Sequence, residues 1–263
     1  MPEAAAPAAP ADPVPVAALE SAPAREGGTT ATNTGGFGRI VLRVSSLTLL
    51  TQVFSFVSSI VIARVLGATR STDAYFLGYS VPLFVASVFL TAIRAGAIPA
   101  LTEEANRDEA AFLNGSSELV SVTLIGTVLL SMMAAGLAVA LLPLTAGNPR
   151  LVGPAQVNAL LLTPLGVFGA MVSALAAILA VRNRFAAAAL VVGIDPILRI
   201  VLLALFGSAL GTNALVIAND AGNGLAVVVM WVLVVREGIS LKLGWPVRSK
   251  FVLRSIALMA PIV

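Results

Sequence analysis

Three charged side chains lie inside otherwise apolar stretches of this sequence, and they are the first residues to ask for chemistry. Asp195 and Arg199 are four residues apart, and Asp220 follows within Asn219-Asp220-Ala221-Gly222-Asn223. A spacing of four places Asp195 and Arg199 on one face of a helix. Arg199 and Asp220 each stand seven residues from the ends, Phe206 and Asn213, of their apolar runs. At about 1.5 Å per residue both are about 10 Å below the same boundary, so an antiparallel hairpin would set them level. The spacing predicts an Arg199–Asp220 ion pair with Asp195 as competitor and Asn219 and Asn223 beside it. A charge in hydrocarbon normally faces a partner or a wet cavity. The chemistry open to this set is a fixed structural pair, a gate or a coupling-ion site.

Two further groups are polar where lipid is expected. Ser45, Thr48, Gln52, Ser55 and Ser59 recur at spacings of three or four, flanked by Thr51 and Ser58. They form one helical stripe. It is expected to turn inward, either as a cavity wall or as close helix packing through small hydroxylated residues. The run Arg64-Val-Leu-Gly-Ala-Thr-Arg70-Ser-Thr-Asp73 is a polar turn. Asp73 stands where the N-cap of the next helix is expected, and Arg64 can snorkel to the interface. Gly166, Gly169, Ala170 and Ser173 give a small-residue face suited to packing.

The sequence contains no histidine and no cysteine. Disulfides, thiolate nucleophiles, most zinc sites and imidazole acid–base catalysis are thereby removed. It carries no Gly-rich loop ending in Lys-Ser/Thr, so it offers no ATP site. The expectation is a protein that is not an enzyme and has no cofactor, no metal and no nucleic-acid partner.

The elements that must position these residues follow from composition. With 58% hydrophobic and 11% charged residues, the chain has too little polar surface to clothe a soluble globule. Its solvent is the bilayer, and the fold class is an all-α polytopic transmembrane bundle. Apolar runs of spanning length predict six complete spans, Val44–Leu66, Ala74–Ile93, Leu119–Pro143, Ala155–Val181, Ala186–Phe206 and Asn213–Val235. A seventh run starts at Ile256 and stops at Val263, too short to cross. The reading is therefore a disordered Ala/Pro-rich tail at 1–38, a six-span lobe at 39–255 and a truncated seventh span at 256–263. Pro82 implies a kink in the second span, and the second connection, Arg94 to Glu118, is expected to hold a short surface helix. Twelve Lys/Arg fall in the tail and the even-numbered connections against three in the odd-numbered ones. By the positive-inside rule the amino terminus is cytoplasmic.

The same residues carry a resemblance. Ile62-Ala-Arg-Val-Leu-Gly-Ala-Thr-Arg-Ser-Thr-Asp-Ala-Tyr-Phe76, with Pro82 downstream, resembles the first helical hairpin of the lipid II flippase family (MurJ/MviN). That family belongs to the multidrug/oligosaccharidyl-lipid/polysaccharide exporter superfamily. Ile98-Pro-Ala-Leu-Thr-Glu103, Asn183-Arg-Phe185 and Arg254-Ser-Ile-Ala-Leu-Met-Ala-Pro261 are similar to later segments of its first half. The resemblance implies one lobe of a two-lobe flippase in the bacterial inner membrane. Such a protein moves a polyprenyl-linked saccharide to the outer leaflet for peptidoglycan biosynthesis, cell-wall growth and cell shape. Its partners would be the bilayer, the lipid-linked saccharide, a C-terminal lobe and cell-wall synthesis proteins. Where the family's cavity carries arginines this sequence has Gln52, Ser58 and Ser87, and Thr91 stands where an acid is usual. Asp73 matches, and Arg94 lies one turn from the altered positions. The substrate-cavity candidates are Gln52, Ser55, Ser58, Ser59, Asp73, Ser87 and Arg94, and the intramembrane pair or gate is Asp195, Arg199 and Asp220. Two other readings stand beside this one: a transport-inactive scaffold for cell-wall synthesis, and a drug or cation exporter of the same superfamily.

Overall fold

The computed structural model describes residues 34–145 and 147–244. The chain divides into two units, Met1–Arg39 and Ile40–Val263, and the architecture below is that of the second. Among the described residues there is no strand. Six helical stretches are long and apolar enough to cross a membrane: Val44–Leu66, Arg70–Arg107, Glu109–Leu144, Pro149–Val181, Phe185–Leu210 and Thr212–Arg236. These are the six expected spans with most ends extended, because flanking polar residues continue the helices. The protein is a multi-pass membrane protein, and Leu49, Phe56, Leu129 and Leu144, each more than 60% exposed, have lipid as their solvent. The first helix, α1, runs Thr34–Leu66 and so begins inside the segment expected to be a tail. Residues 1–33 and the expected seventh-span start at 256–263 lie outside the described residues.

Prolines decide where spans are interrupted. The second stretch is α2 (Arg70–Ala92), a π-helical turn (Ile93–Ala97) and α3 (Ile98–Arg107). The third is α4 (Glu109–Thr145), and the fourth is α5 (Pro149–Leu161) followed by α6 (Thr163–Val181). The fifth is α7 (Phe185–Val192) and α8 (Ile194–Leu210), and the sixth is α9 (Thr212–Arg236). Each break inside a stretch lies just ahead of a proline: Ile93–Ala97 before Pro99, Leu162 before Pro164 and Gly193 before Pro196. Each proline withholds the N–H that the carbonyl four residues earlier would take. At Pro99 the backbone widens instead, and the Ile98 N–H reaches back to the Ile93 carbonyl. Pro82, by contrast, lies within α2, which runs on unbroken past it. The short surface helix expected in the second connection is α3, but it is only half a surface element, since Ala100 and Leu101 are fully buried.

α2 and α6 lie at the centre. α2 packs on α4, α5 and α6, and α6 packs on α4 and α9. The small-residue face of α6 works as expected. A Cβ on Gly166 would lie 3.0 Å from Ser131 Oγ, and one on Gly169 would lie 3.1 Å from Ala86 Cβ. Close approach of this kind drives helix association where lipid removes the hydrophobic difference. Thr69, not Asp73, caps α2, its hydroxyl accepting from the Thr72 N–H at 3.3 Å. The helix starts at Arg70, which moves Asp73 into the first turn. One end of the bundle is rich in ion pairs. Arg182 meets Glu109 and stands over the Phe112 ring, while Arg184 Nε reaches Glu237 at 2.9 Å. The turn between them holds Asn183 at φ 58°, a left-handed position that asparagine tolerates.

Beyond α9 an extended strap follows α4. The amides of Lys242 and Gly244 donate to Ser117 Oγ and Ser121 Oγ at 3.1 and 3.2 Å. Two extended residues rise about 6.6 Å and one helical turn of four residues about 6.0 Å, so the two ladders stay in register. We predict that replacing Ser117 and Ser121 together by alanine accelerates hydrogen exchange at the Lys242 and Gly244 amides at least tenfold, leaving α4 amides unchanged. Unchanged exchange at both amides would mean that the hydroxyls do not hold the strap.

Candidate functional site

The charged layer is built around the broken fifth span. Gly193 closes α7, its N–H donating to the Leu190 carbonyl at 3.1 Å, and Pro196 in the next turn prevents the regular ladder from resuming at once. α8 therefore starts afresh with Asp195 in its first turn, where a carboxylate is favoured by the helix dipole. Asp195 is ten residues from Phe185, the start of its span. That is about 15 Å along the helix, near the middle of a hydrocarbon core about 30 Å thick.

Arg199 pairs with Asp195, its Nη2 donating to Oδ2. The pair is mostly buried, with side chains 17% and 20% exposed. The expected Arg199–Asp220 pair is not formed; the competitor wins. Asp195 is one turn away on the same helix, so the geometry is preset and needs no second element. α9 in turn presents Asn219, Gly222 and Asn223, at spacings of three and four, to its neighbours, which leaves Asp220 about a quarter-turn aside. Asn223 Nδ2 donates to Asp195 Oδ1 at 3.1 Å. Gly222 makes this approach possible, since a Cβ there would lie 3.0 Å from Asp195 Cα. Asn219, 1% exposed, donates to the Tyr75 hydroxyl at 2.5 Å and to the Leu215 carbonyl at 2.8 Å. Tyr75 is itself buried and stacks on Tyr79 with ring centroids 5.7 Å apart. Asp220 joins no ion pair among the described residues, and its Oδ1 is buried without a hydrogen-bond partner.

The stripe on α1 is turned differently from expectation. Gln52 and Ser59 are exposed, as are Ser45 and Thr48, and Ser55 is half-buried. The inward seam is Thr51, Ser55, Ser58 and Ile62, about a fifth of a turn around the helix from the expected stripe, with Ser55 common to both. It lies along α8, where Thr51 Oγ1 is 3.4 Å from a Cβ position on Gly193 and Val65 Cγ1 is 2.5 Å from one on Gly207. Ile62 is the anchor, packing into an apolar cluster with Tyr75, Leu203 and Leu215, and one aliphatic anchor outweighs hydroxyls that are satisfied elsewhere. Those of Thr48, Thr51, Ser55 and Ser59 each donate to a carbonyl one turn back on α1, at 2.9–3.0 Å. Ser58 is fully buried, its Oγ unpartnered. Asp73 is exposed on the first turn of α2, Ser87 is exposed and bonded to the Phe84 carbonyl, and Arg94 lies in the π-helical turn.

The structure thus joins Asp195 to Arg199, and through Asn223 and Asn219 to α9 and Tyr75, but it does not bring Asp73, Ser87 or Gln52 into that network. Tyr75, Gly222 and the Gly193/Pro196 break were not singled out from sequence. A Gly-x-x-Pro inside an apolar run was the available signal for the break. A buried hydroxyl row on α4, Ser116, Thr123, Thr127 and Ser131, was also passed over, its spacing of seven, four and four interrupted by Ser117 and Ser121 on an adjoining face.

Among protein-family models, the one described as lipid II flippase MurJ matches residues 62–263, which takes in the charged layer, Asp73 and Arg94. A search of curated proteins found no match.

Proposed function

Because this chain belongs to the lipid II flippase MurJ family, we propose that it forms the amino-terminal lobe of a flippase carrying a polyprenyl-linked saccharide to the outer leaflet. It is a transporter component in this reading, not an enzyme. The observation that carries the reading is the uncovered polar face of α1. Ser45, Thr48, Gln52 and Ser59 are exposed while Thr51, Ser58 and Ile62 pack inward. A spanning helix with an uncovered amide is poorly matched to lipid and calls for a wet neighbour. Gln52, Ser55 and Ser59 line the substrate path, with Asp73, Ser87 and Arg94 of the second span, and Ser58 sits behind them. Asp195, Arg199 and Asp220 form the gate beside it. Movement would be rocking of two lobes about a midplane cavity. The excess of Lys/Arg in the tail and the even-numbered connections supports a cytoplasmic amino terminus.

The test is complementation. The complete reading frame, expressed in cells depleted of their lipid II flippase, is expected to restore survival. Asp73→Asn or Arg94→Gln is expected to remove that rescue without lowering the amount of inserted protein. A second reading, a transport-inactive scaffold, is favoured by the uncharged character of the exposed Gln52, Ser59, Ser87 and Thr91 beside an anionic substrate. It predicts no rescue by fully inserted protein.

A further inference from the structure

On α2, Asp73, Ser80, Ser87 and Thr91 are all exposed. Their spacings of seven, seven and four put them on one face, within about 40° of one another at about 100° per residue. Tyr75, Gly78, Pro82 and Val85 form the buried face. Tyr75 lies about 160° around the helix from Asp73, so whatever draws Tyr75 into the lobe turns the polar face out of it.

What draws Tyr75 in is Asn219 of α9, whose Nδ2 donates to the tyrosine hydroxyl at 2.5 Å. Both residues are buried, Tyr75 2% and Asn219 1% exposed. Gly78 lets α2 close onto α5, and on the α9 side the hydrogen bond adds a directional restraint. Turning α2 by one residue would bring Ala74 or Phe76 to Asn219, and neither carries a hydroxyl. The buried amide would then lose a partner, which is unfavourable. The Tyr75 ring stacks on Tyr79 and meets Phe76 edge-on at 5.3 Å between centroids, both on its own helix, so the bond acts on α2 as a whole. Asn219 is anchored in turn. Its Nδ2 also donates to the Leu215 carbonyl, and Asn223 donates to the Asn219 carbonyl at 3.0 Å and to Asp195 Oδ1 at 3.1 Å. A polar chain thus runs from the Asp195–Arg199 pair on α8 through α9 to α2.

We propose that Asn219 and Tyr75 are positioning residues: the bond between them sets the rotation of α2 and so holds Asp73, Ser80, Ser87 and Thr91 toward the substrate path. The proposal rests on the transport reading for the existence of the path, but its test reads helix rotation and needs no transport, so either can fail alone.

This chain contains no cysteine, so a single introduced thiol reports one position. The complete protein, in a background otherwise free of cysteine, is placed in lipid nanodiscs and labelled with a sulfonated, membrane-impermeant maleimide. Ser80→Cys and Ser87→Cys are expected to react about tenfold faster than Val85→Cys on the buried face. Adding Tyr75→Phe, which removes one oxygen, is expected to slow Ser80→Cys and Ser87→Cys about fivefold while Val85→Cys stays protected and the amount of inserted protein is unchanged. Asn219→Ala should do the same, and the two together no more than either alone. If Asn219→Ala does not fold, Tyr75→Phe carries the test. Equal labelling of Ser80→Cys and Val85→Cys in the parent, unchanged labelling of the serine positions in Tyr75→Phe, or a newly reactive Val85→Cys, the mark of general loosening, would each overturn the proposal.

Discussion

Replacing Gly78 by leucine is expected to leave almost no folded protein in the membrane. α2 and α5 cross at this residue with their backbones nearly in contact. A Cβ on Gly78 would lie 2.6 Å from the Ala155 carbonyl oxygen, 2.8 Å from the Ala159 nitrogen and 2.8 Å from Asn158 Cβ. Two of these neighbours are backbone, and a helix backbone cannot turn aside as a side chain can. Ala74, Ala155 and Ala159 around the crossing are fully buried, so no slack is available nearby. Overpacking in a core commonly costs about 1–3 kcal/mol; here, where two helices must separate, more than about 3 kcal/mol is expected. Such a loss consumes much of the net stability of a typical domain. Gly78→Ala should show the same effect in weaker form. Gly136→Ala is the control, because a Cβ there meets nothing within 4 Å and alanine is the better helix former by about 1 kcal/mol. Detergent size-exclusion of a fluorescent fusion reads the result. A monodisperse Gly78→Leu peak of wild-type height would show that the helices do not cross as closely as described.

The second large effect is expected from Arg199→Gln. Removing the guanidinium strands the Asp195 carboxylate at mid-membrane with only the Asn223 amide for company. Breaking a buried pair from one side costs about 3–5 kcal/mol, because the remaining charge is uncompensated. Replacing both partners is much milder, so Asp195→Asn/Arg199→Gln should recover most of the loss in thermal midpoint and accumulated protein. The non-additivity is the diagnostic. If Asp220→Asn rescues Arg199→Gln and Asp195→Asn does not, then Arg199 pairs across the hairpin after all and the fixed-pair assignment is wrong.

That pairing shows where sequence reasoning reached and where it stopped. The composition of the layer was legible, since a charge in an apolar run announces itself by type and position alone. The choice of partner was not. Antiparallel depth matching made Asp220 level with Arg199, but level is one coordinate, and contact also requires the right azimuth on both helices. Azimuth was set by Gly222, whose missing side chain lets α9 seat Asn219 and Asn223 against α8 and α2 and carries Asp220 to one side. The stripe on α1 repeats the lesson. Its polar residues were correctly placed on one face, yet which face turned inward depended on Ile62 and Val65 finding the cluster around Tyr75 and the groove at Gly207.

The sequence by itself determined the solvent, the number of spans, the absence of thiol and imidazole chemistry, and the residues that lipid cannot accommodate. These follow from composition, run length and one-dimensional period, all local quantities. Only the tertiary structure decided that Thr69 rather than Asp73 caps α2, that the fifth span breaks at Gly193, that Asp195 takes Arg199, and that Asp220 is left without an ion-pair partner. Each of those depends on helix rotation and on backbone approach at single glycines and prolines. In a bilayer, where apolar faces are nearly interchangeable against lipid, rotation is set by a few close contacts between elements distant in sequence.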